Sequence, residues 1–477
     1  MYPCLRYLVP RFIGGAFVLT CVCLLFSSCS PSQKYKATIE SIRGHEVPQW
    51  YDDAKLGIFI HWGLYSVPGW ASPIGEPGKV DWDKWFRNNP YAEWYANTMK
   101  FEDSPTREYH RKTYGENFGY YDFIPIFNEQ NQKWDPNNWA RFFKQVGAKY
   151  VVLGTKHHDG FTLWPSKVKN PKVTDCNINS PRDIVGELTN AVRRQGLKMG
   201  LYYSGGLDWT IDDTRIDNLK QNISTPQTKE YIRYVDAHWR ELIDRYRPAI
   251  LWNDIGYPRN GDVLGLFAYY YNAVPDGVIN NRWSIKFCDF TTPEYAKYDK
   301  ITPKKWETCR GIGFSFGYNR NESEEHTLSA DELVDLLIDI TSKNGNLLLN
   351  VGPTAEGTIP ELQAERLREL GRWLETNGSA IYGTRPWVRA EASAEPNIPV
   401  RFTTKRNTLY AILLDKPTSP RITIKSLVVP KNAKIRMLGT KGNLKWSQRG
   451  DDSDITLPEK LPGDYAWCLE IKPLPKK

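Results

Sequence analysis

Between about residues 50 and 380 the chain alternates two hydrophobic patterns. Short, nearly unbroken apolar runs at Leu56–His61, Tyr150–Lys156, Lys198–Ser204, Ala249–Asp254, Gly277–Asn281 and Leu347–Val351 predict buried strands. Longer segments at Pro136–Val146, Pro181–Gln195, Pro226–Tyr246, Val263–Ala273, Ser329–Ser342 and Pro360–Glu375 space their apolar residues for one face of a helix. Several of these open on proline, which suits a first helical turn that needs no N–H. Alternating β and α units predict a parallel sheet, and about eight of them close a barrel. The fold class expected is therefore α/β, a (β/α)8-like (TIM-type) barrel over residues 45–383, although only six strands are evident. After Gly383 the pattern shortens to Val400–Thr403, Leu409–Leu413, Ile422–Ile424, Ile435–Leu438, Asp454–Leu457 and Ala466–Ile471, punctuated by Pro, Gly, Asn and Asp. That predicts an antiparallel β-sandwich over residues 384–477.

The N-terminus has a different character. Arg6 and Arg11 precede an apolar stretch from Phe12 to Phe26, followed by Ser27-Ser28-Cys29. A basic start, an apolar middle and a small-residue end predict an export signal over residues 1–28; Cys29 stands where a bacterial lipoprotein carries its lipid, and Phe26, an imperfect match to that pattern, leaves a plain signal peptide as the alternative. Residues 29–44 then form a tether without the acidic run of some surface lipoproteins, which points to the periplasmic side. Of eight cysteines, four lie in or at the end of this leader. Cys176, Cys288, Cys309 and Cys468 are scattered and no CxxC occurs, so buried free thiols are expected and neither a zinc site nor a disulfide scaffold is indicated. The net charge of +8 falls to +6 once Arg6 and Arg11 leave, and its dispersal along the chain argues against a nucleic-acid partner. The aromatic share, 13%, is high and suits rings that stack on sugar faces as well as rings that fill a core.

The chemistry gathers where strands are predicted to end, the rim that carries active sites in parallel barrels. Those ends read His61-Trp62-Gly63, His157-His158-Asp159-Gly160, Tyr202-Tyr203-Ser204-Gly205, Trp252-Asn253-Asp254 and Asn281-Arg282-Trp283. Adjacent His157 and His158 reach one pocket only if their strand breaks or bulges there. The His-His-Asp run has too little support elsewhere to predict a metal site, and no cofactor is expected. Neutral imidazoles, tyrosine and arginine together favour a polyhydroxylated ligand. Glycoside hydrolysis needs two carboxyl groups. Asp254 is the first candidate; Glu294, Glu307 and Glu93 compete for the second place, and spacing does not choose among them.

The segments IFIHWG, EWY, KHHDGF, YYSGG, LWND, NRW, TPEY, GIGFSFGYNR and GNLLLNVGP occur in this order over residues 45–385. The series resembles that of the retaining α-L-fucosidases of glycoside hydrolase family 29. That resemblance implies a somewhat irregular (β/α)8-like barrel with a C-terminal β-sandwich, Asp254 as nucleophile and Glu294 as general acid/base. It further implies that His61, Glu93, Trp94, His157, His158, Tyr203 and Arg282 bind the fucose hydroxyls or line the pocket, with Tyr202 as the alternative to Tyr203. Phe59, Trp252 and Phe316 match an apolar wall for the sugar's methyl group. The expected partner is a fucosylated oligosaccharide or glycoconjugate, with membrane contact only through a lipid on Cys29, and a retained Glu294 places the chain nearer the broad-specificity branch. A glycan-binding protein that has lost catalysis and a retaining glycosidase for another sugar are the rival readings.

Overall fold

A computed structural model of the chain describes residues 34–174, 177–217 and 225–475; the expected leader, Cys29 and Cys176 lie outside them. Seven parallel strands, β1 (Leu56–Ile60), β2 (Tyr150–Lys156), β3 (Lys198–Ser204), β4 (Ile250–Asp254), β5 (Val278–Ile279), β6 (Trp306–Gly311) and β7 (Gly345–Val351), form one curled sheet in the order β5-β4-β3-β2-β1-β7-β6. Six were predicted; β6 is the addition. Its sequence, Trp-Glu-Thr-Cys-Arg-Gly, lacks an unbroken apolar run, because polar Glu307 and Thr308 are buried on its two faces.

The gap between edge strands β5 and β6 is spanned by an irregular segment, residues 289–295. Asp289 N–H donates to Ile279 O of β5 at 3.0 Å, while Thr291 O accepts from Glu307 N–H at 2.8 Å and Tyr295 N–H donates to Cys309 O at 3.1 Å. This stretch occupies the place of an eighth strand. Pro293 supplies no N–H and Tyr295 has φ of +48°, so a regular ladder cannot form.

Helices cover the outside of the sheet, and most begin at the caps their sequences offer. Asp135, Asp183, Thr228 and Asp262 each accept from a first-turn N–H of Pro136–Gln145, Ile184–Arg194, Lys229–Tyr246 and Val263–Ala273. Ser329 and Glu332 form a reciprocal capping box at Ala330–Ser342. The two faces of the sheet serve different layers. Ile58, Ile60, Val151, Leu153, Leu201 and Leu251 pack outward against helices. Phe59, Tyr150, Val152, Tyr202, Ile250, Trp252 and Leu348 fill the interior. Gly57 is required there, since a Cβ at this position would lie 2.3 Å from the Tyr150 ring.

The C-terminal part holds eight antiparallel strands, β8 (Arg385–Glu395), β9 (Ile398–Lys405), β10 (Thr408–Leu413), β11 (Arg421–Ile424), β12 (Lys434–Met437), β13 (Trp446–Arg449), β14 (Asp452–Thr456) and β15 (Trp467–Lys472). They run in the order β12-β15-β10-β9-β8-β11-β14-β13 as one sheet, curled nearly closed around Val400, Phe402, Leu409, Ile424 and Leu469. The antiparallel C-terminal domain, expected as a sandwich, is therefore present as a single continuous, nearly closed sheet. It is fixed to the barrel by Arg401 Nε on Asp339 at 2.6 Å and by Trp373 Nε1 on Ala466 O at 2.9 Å. Cys288, Cys309 and Cys468 are free thiols; Cys288 is half-buried rather than buried.

Candidate active site

A cavity of about 760 Å³, including its open mouth, lies at the carboxyl ends of the strands and is lined by Phe59, His61, Glu93, Trp94, His157, His158, Trp252, Asp254, Arg282, Glu294 and Phe316. Eleven of the twelve predicted site residues meet there. The exception is Tyr203, and Tyr202 takes its place. In register, Tyr202 pairs with Trp252, so both project inward. The Tyr202 hydroxyl donates to Asp254 Oδ2 at 2.9 Å, whereas the Tyr203 hydroxyl meets His238 Nδ1 at 2.9 Å on the helix side of the sheet. Neighbouring residues of a strand point to opposite faces, which excludes Tyr203 from the pocket.

Asp254 ends β4 with its side chain 11% exposed. Its Oδ1 accepts from Arg282 Nη1 at 2.8 Å and from Ile255 N–H at 2.9 Å. Burial pushes its pKa up, but the Arg282 charge, His158, and the hydrogen bonds from Arg282 and Tyr202 outweigh burial and hold it below the ordinary value. Glu294 sits nearer the mouth, its side chain 29% exposed. Its Oε1 accepts from the Tyr91 hydroxyl at 2.9 Å, and its Oε2 from Arg282 Nη1 and Nη2, both at 3.1 Å. One guanidinium nitrogen thus touches both carboxylates. Their nearest oxygens can be no further apart than about 6 Å, close to the ~5–5.5 Å spacing of a retaining glycosidase pair.

The histidines are neutral acceptors. Asn350 Nδ2 donates to Phe316 O, so its Oδ1 accepts from His61 Nδ1–H at 2.7 Å and leaves His61 Nε2 free to accept. Ser204 gives its proton to Leu207 O and therefore accepts from His158 Nδ1–H at 2.6 Å. Burial lowers the pKa of His61 to about 4 and of His158 to about 3. β2 stops at Lys156 after a register shift against β3, which frees the next two residues from strand alternation. His157 then stacks on Tyr202, ring centroids 5.7 Å apart, and His158 meets the edge of Trp94. Glu93 accepts from Gly317 N–H at 2.7 Å, and burial raises its pKa to about 8, so at neutral pH it is a carboxylic acid able to donate. Phe59 and Trp252, 5.2 Å apart, form an apolar wall with Phe316.

Glu307 lies below the cavity in the barrel interior, wholly buried. It accepts from Tyr51 and Tyr150 hydroxyls at 2.9 and 2.5 Å and from Trp252 Nε1 at 3.0 Å. Asp159 is held by the Tyr120 hydroxyl and Phe161 N–H, outside the cavity lining, and among the described residues no trio of His, Cys, Asp or Glu is arranged to hold a metal. Residues missed from sequence are Tyr91, Ile255 and Cys309 in the pocket, and Pro77, Trp82, Trp85 and Phe86 at its mouth. Tyr91 stands two residues before Glu93, a spacing that could have flagged it; the mouth residues carry no comparable signal.

The alpha-L-fucosidase family model matches residues 23–379, and the alpha-L-fucosidase C-terminal domain model matches residues 394–472. The chain belongs to the alpha-L-fucosidase family. This is glycoside hydrolase family 29, and the chain is an alpha-L-fucosidase acting on fucosylated substrates (EC 3.2.1.51). Among relatives of the fucosidase, the Branchiostoma floridae alpha-L-fucosidase is 35% identical over 94% of this chain and 98% of its own. The Thermotoga maritima alpha-fucosidase in complex with fucose is 48% identical, with a TM-score of 0.84 over 92% of this chain and 100% of that one. A Bacteroides thetaiotaomicron family 29 alpha-L-fucosidase, solved as a trapped covalent intermediate, is 25% identical with a TM-score of 0.66, over 89% of this chain and 95% of that one. The irregular barrel and the pocket at its strand ends are thus a fucosidase architecture.

Proposed function

We propose that the chain is an exported, exo-acting, retaining alpha-L-fucosidase in which Asp254 is the nucleophile and Glu294 the general acid/base. The observation that carries this reading is the shared guanidinium: Arg282 Nη1 bonds Asp254 at 2.8 Å and Glu294 at 3.1 Å at the mouth of one pocket. In the first step Asp254 Oδ forms a bond to the anomeric carbon as the glycosidic C–O bond breaks, and Glu294 gives its proton to the leaving oxygen. In the second, Glu294 takes a proton from water, the hydroxide oxygen bonds the anomeric carbon, and the Asp254 carboxylate departs. The same Bacteroides thetaiotaomicron protein, trapped as a covalent intermediate, supports a two-step course.

The two acids begin differently. Asp254 is held ionised by Arg282 and Tyr202. Glu294 stands nearer the mouth, its side chain 29% exposed, and accepts from Tyr91 as well as from Arg282. Neutral His61 and His158 accept from sugar hydroxyls, and protonated Glu93 donates to one. Phe59, Trp252 and Phe316 receive the deoxy sugar's methyl, worth about 0.8 kcal/mol. Proton NMR of an aryl α-L-fucoside digest tests the mechanism. The α-anomer of free fucose must appear first; β-anomer first would defeat the double displacement.

Export and lipidation of Cys29 rest on the leader pattern alone. Expression in a bacterial host with labelled palmitate tests them: label in the membrane-bound protein, lost together with membrane association in Cys29→Ala, is the expected outcome.

A further inference from the structure

The pocket does not end at the two carboxyl groups. Beyond Glu294 an aromatic ladder leads to solvent. Tyr91, whose hydroxyl bonds Glu294 Oε1, packs edge-on to Trp85 with ring centroids 5.1 Å apart, and Trp85 packs edge-on to Trp82 at 5.5 Å. Trp85 is buried and lines the cavity, yet its Nε1–H has no hydrogen-bond partner. A buried indole N–H without a partner, on a residue that lines the cavity, is a donor that a bound acceptor would satisfy. Trp82, by contrast, is 36% exposed, one of few large aromatics in the described residues to be so. Its aromatic neighbours among the described residues are Trp85 and Phe86 of its own short helix, Trp82–Arg87.

The preceding segment, with Pro77, completes the rim, and Glu76 pins it through an ion pair with Arg310 at 2.9 Å. Beyond Glu294 the cavity lining carries no charged side chain and, Pro77 apart, is aromatic. A general acid must lie within hydrogen-bond reach of the leaving oxygen, so the leaving group occupies Glu294's side of the cavity. That is the side on which the ladder begins.

We propose that Trp82, Trp85 and Pro77 form a leaving-group subsite for a neutral pyranose, the apolar C–H face of the sugar lying on the Trp82 indole and one of its hydroxyls accepting from Trp85 Nε1–H. This rests on the hydrolytic reading above and deepens it, since it makes the natural substrate a fucosyl pyranoside. A stacked face and a satisfied buried donor both favour the sugar over a small leaving group.

Two substrates separate the subsite from the chemistry. α-L-Fucosyl fluoride carries no second sugar; the comparison substrate is the best of a panel of fucosyl-hexose linkage isomers. Trp82→Ala should lower kcat/KM for the disaccharide about tenfold, chiefly through KM, and leave the fluoride within about twofold. Trp85→Phe, which keeps the ring and removes the N–H, should cost the disaccharide several-fold and again spare the fluoride. Equal losses on both substrates, or no loss on the disaccharide, overturn the subsite. Should Trp85→Phe fail to fold, the surface variant Trp82→Ala decides alone. If the unaltered chain turns over neither substrate, the hydrolytic reading falls and the subsite with it; turnover of the fluoride with unselective variants removes the subsite only.

Discussion

Trp252 Nε1 donates to Glu307 Oε1 at 3.0 Å, which ties the apolar wall of the pocket to a carboxylate buried in the barrel beneath it. Tyr51 and Tyr150 also donate to Glu307, so three donors converge on its two oxygens. Burial outweighs the three hydrogen bonds and Lys305 and holds its pKa above the ordinary value. Glu307 therefore supports the floor of the site rather than the reaction. Glu307→Gln should lower stability by about 1–3 kcal/mol, because its amide N–H2 faces groups that themselves donate. Any rate loss should be the same for aryl fucosides with good and poor leaving groups. Denaturant melts and a leaving-group series check both.

Glu294→Ala should behave in the opposite way. Its side chain is at the mouth, so stability should change little. Turnover of poor leaving groups should fall about 10²–10⁴-fold while activated aryl fucosides suffer far less. A steepened dependence of rate on leaving-group pKa is the expected readout.

Asp254→Ala should lower kcat by more than roughly 10⁴-fold without unfolding the protein. Azide, small enough to enter the space left by the carboxylate, should restore part of the rate and yield a fucosyl azide. The product's anomeric configuration, read by NMR, identifies the face from which Asp254 acts.

Tyr202→Phe and Tyr203→Phe form a matched pair. The first removes a hydrogen bond to ionised Asp254, raises the pKa of that carboxyl and should cost about tenfold in kcat/KM. The acid limb of the pH profile should move upward with it. The second breaks only the His238 contact and should leave kinetics within about twofold, at a stability cost of about 1 kcal/mol.

Glu93 sets a pH dependence of stability. Its folded pKa, about 8, lies above the ordinary carboxyl value. The folded protein therefore keeps this proton while the unfolded chain releases it, and stability is lost as pH rises from about 4.5 to about 8. Glu93→Gln cannot ionise and keeps an acceptor for Gly317 N–H. Its melting temperature relative to the unaltered chain should rise across that window and level off above it.

Local sequence carried much of this organisation. Unbroken apolar runs, amphipathic segments and their caps gave the alternation of strands and helices, because burial on both sheet faces and on one helix face leaves different periods in the chain. Polar side chains with Gly or Pro at the strand ends marked the rim, and the ordered motifs identified the family. Tertiary structure alone decided the rest. A strand buried on both faces has no periodic mark of which side faces inward, so Tyr202 and Tyr203 were separable only by pairing with Trp252. Glu294 and Glu307 are both carboxyls near one barrel edge. Only the placement of residues 289–295 between β5 and β6 brings the first to Arg282, while the second is enclosed by Tyr51, Tyr150 and Trp252. The mouth formed by Pro77, Trp82 and Trp85 is likewise a product of long-range packing, secured by Arg310 more than 200 residues away in the chain. Side-chain pattern reports burial; which groups meet depends on how distant segments close upon one another.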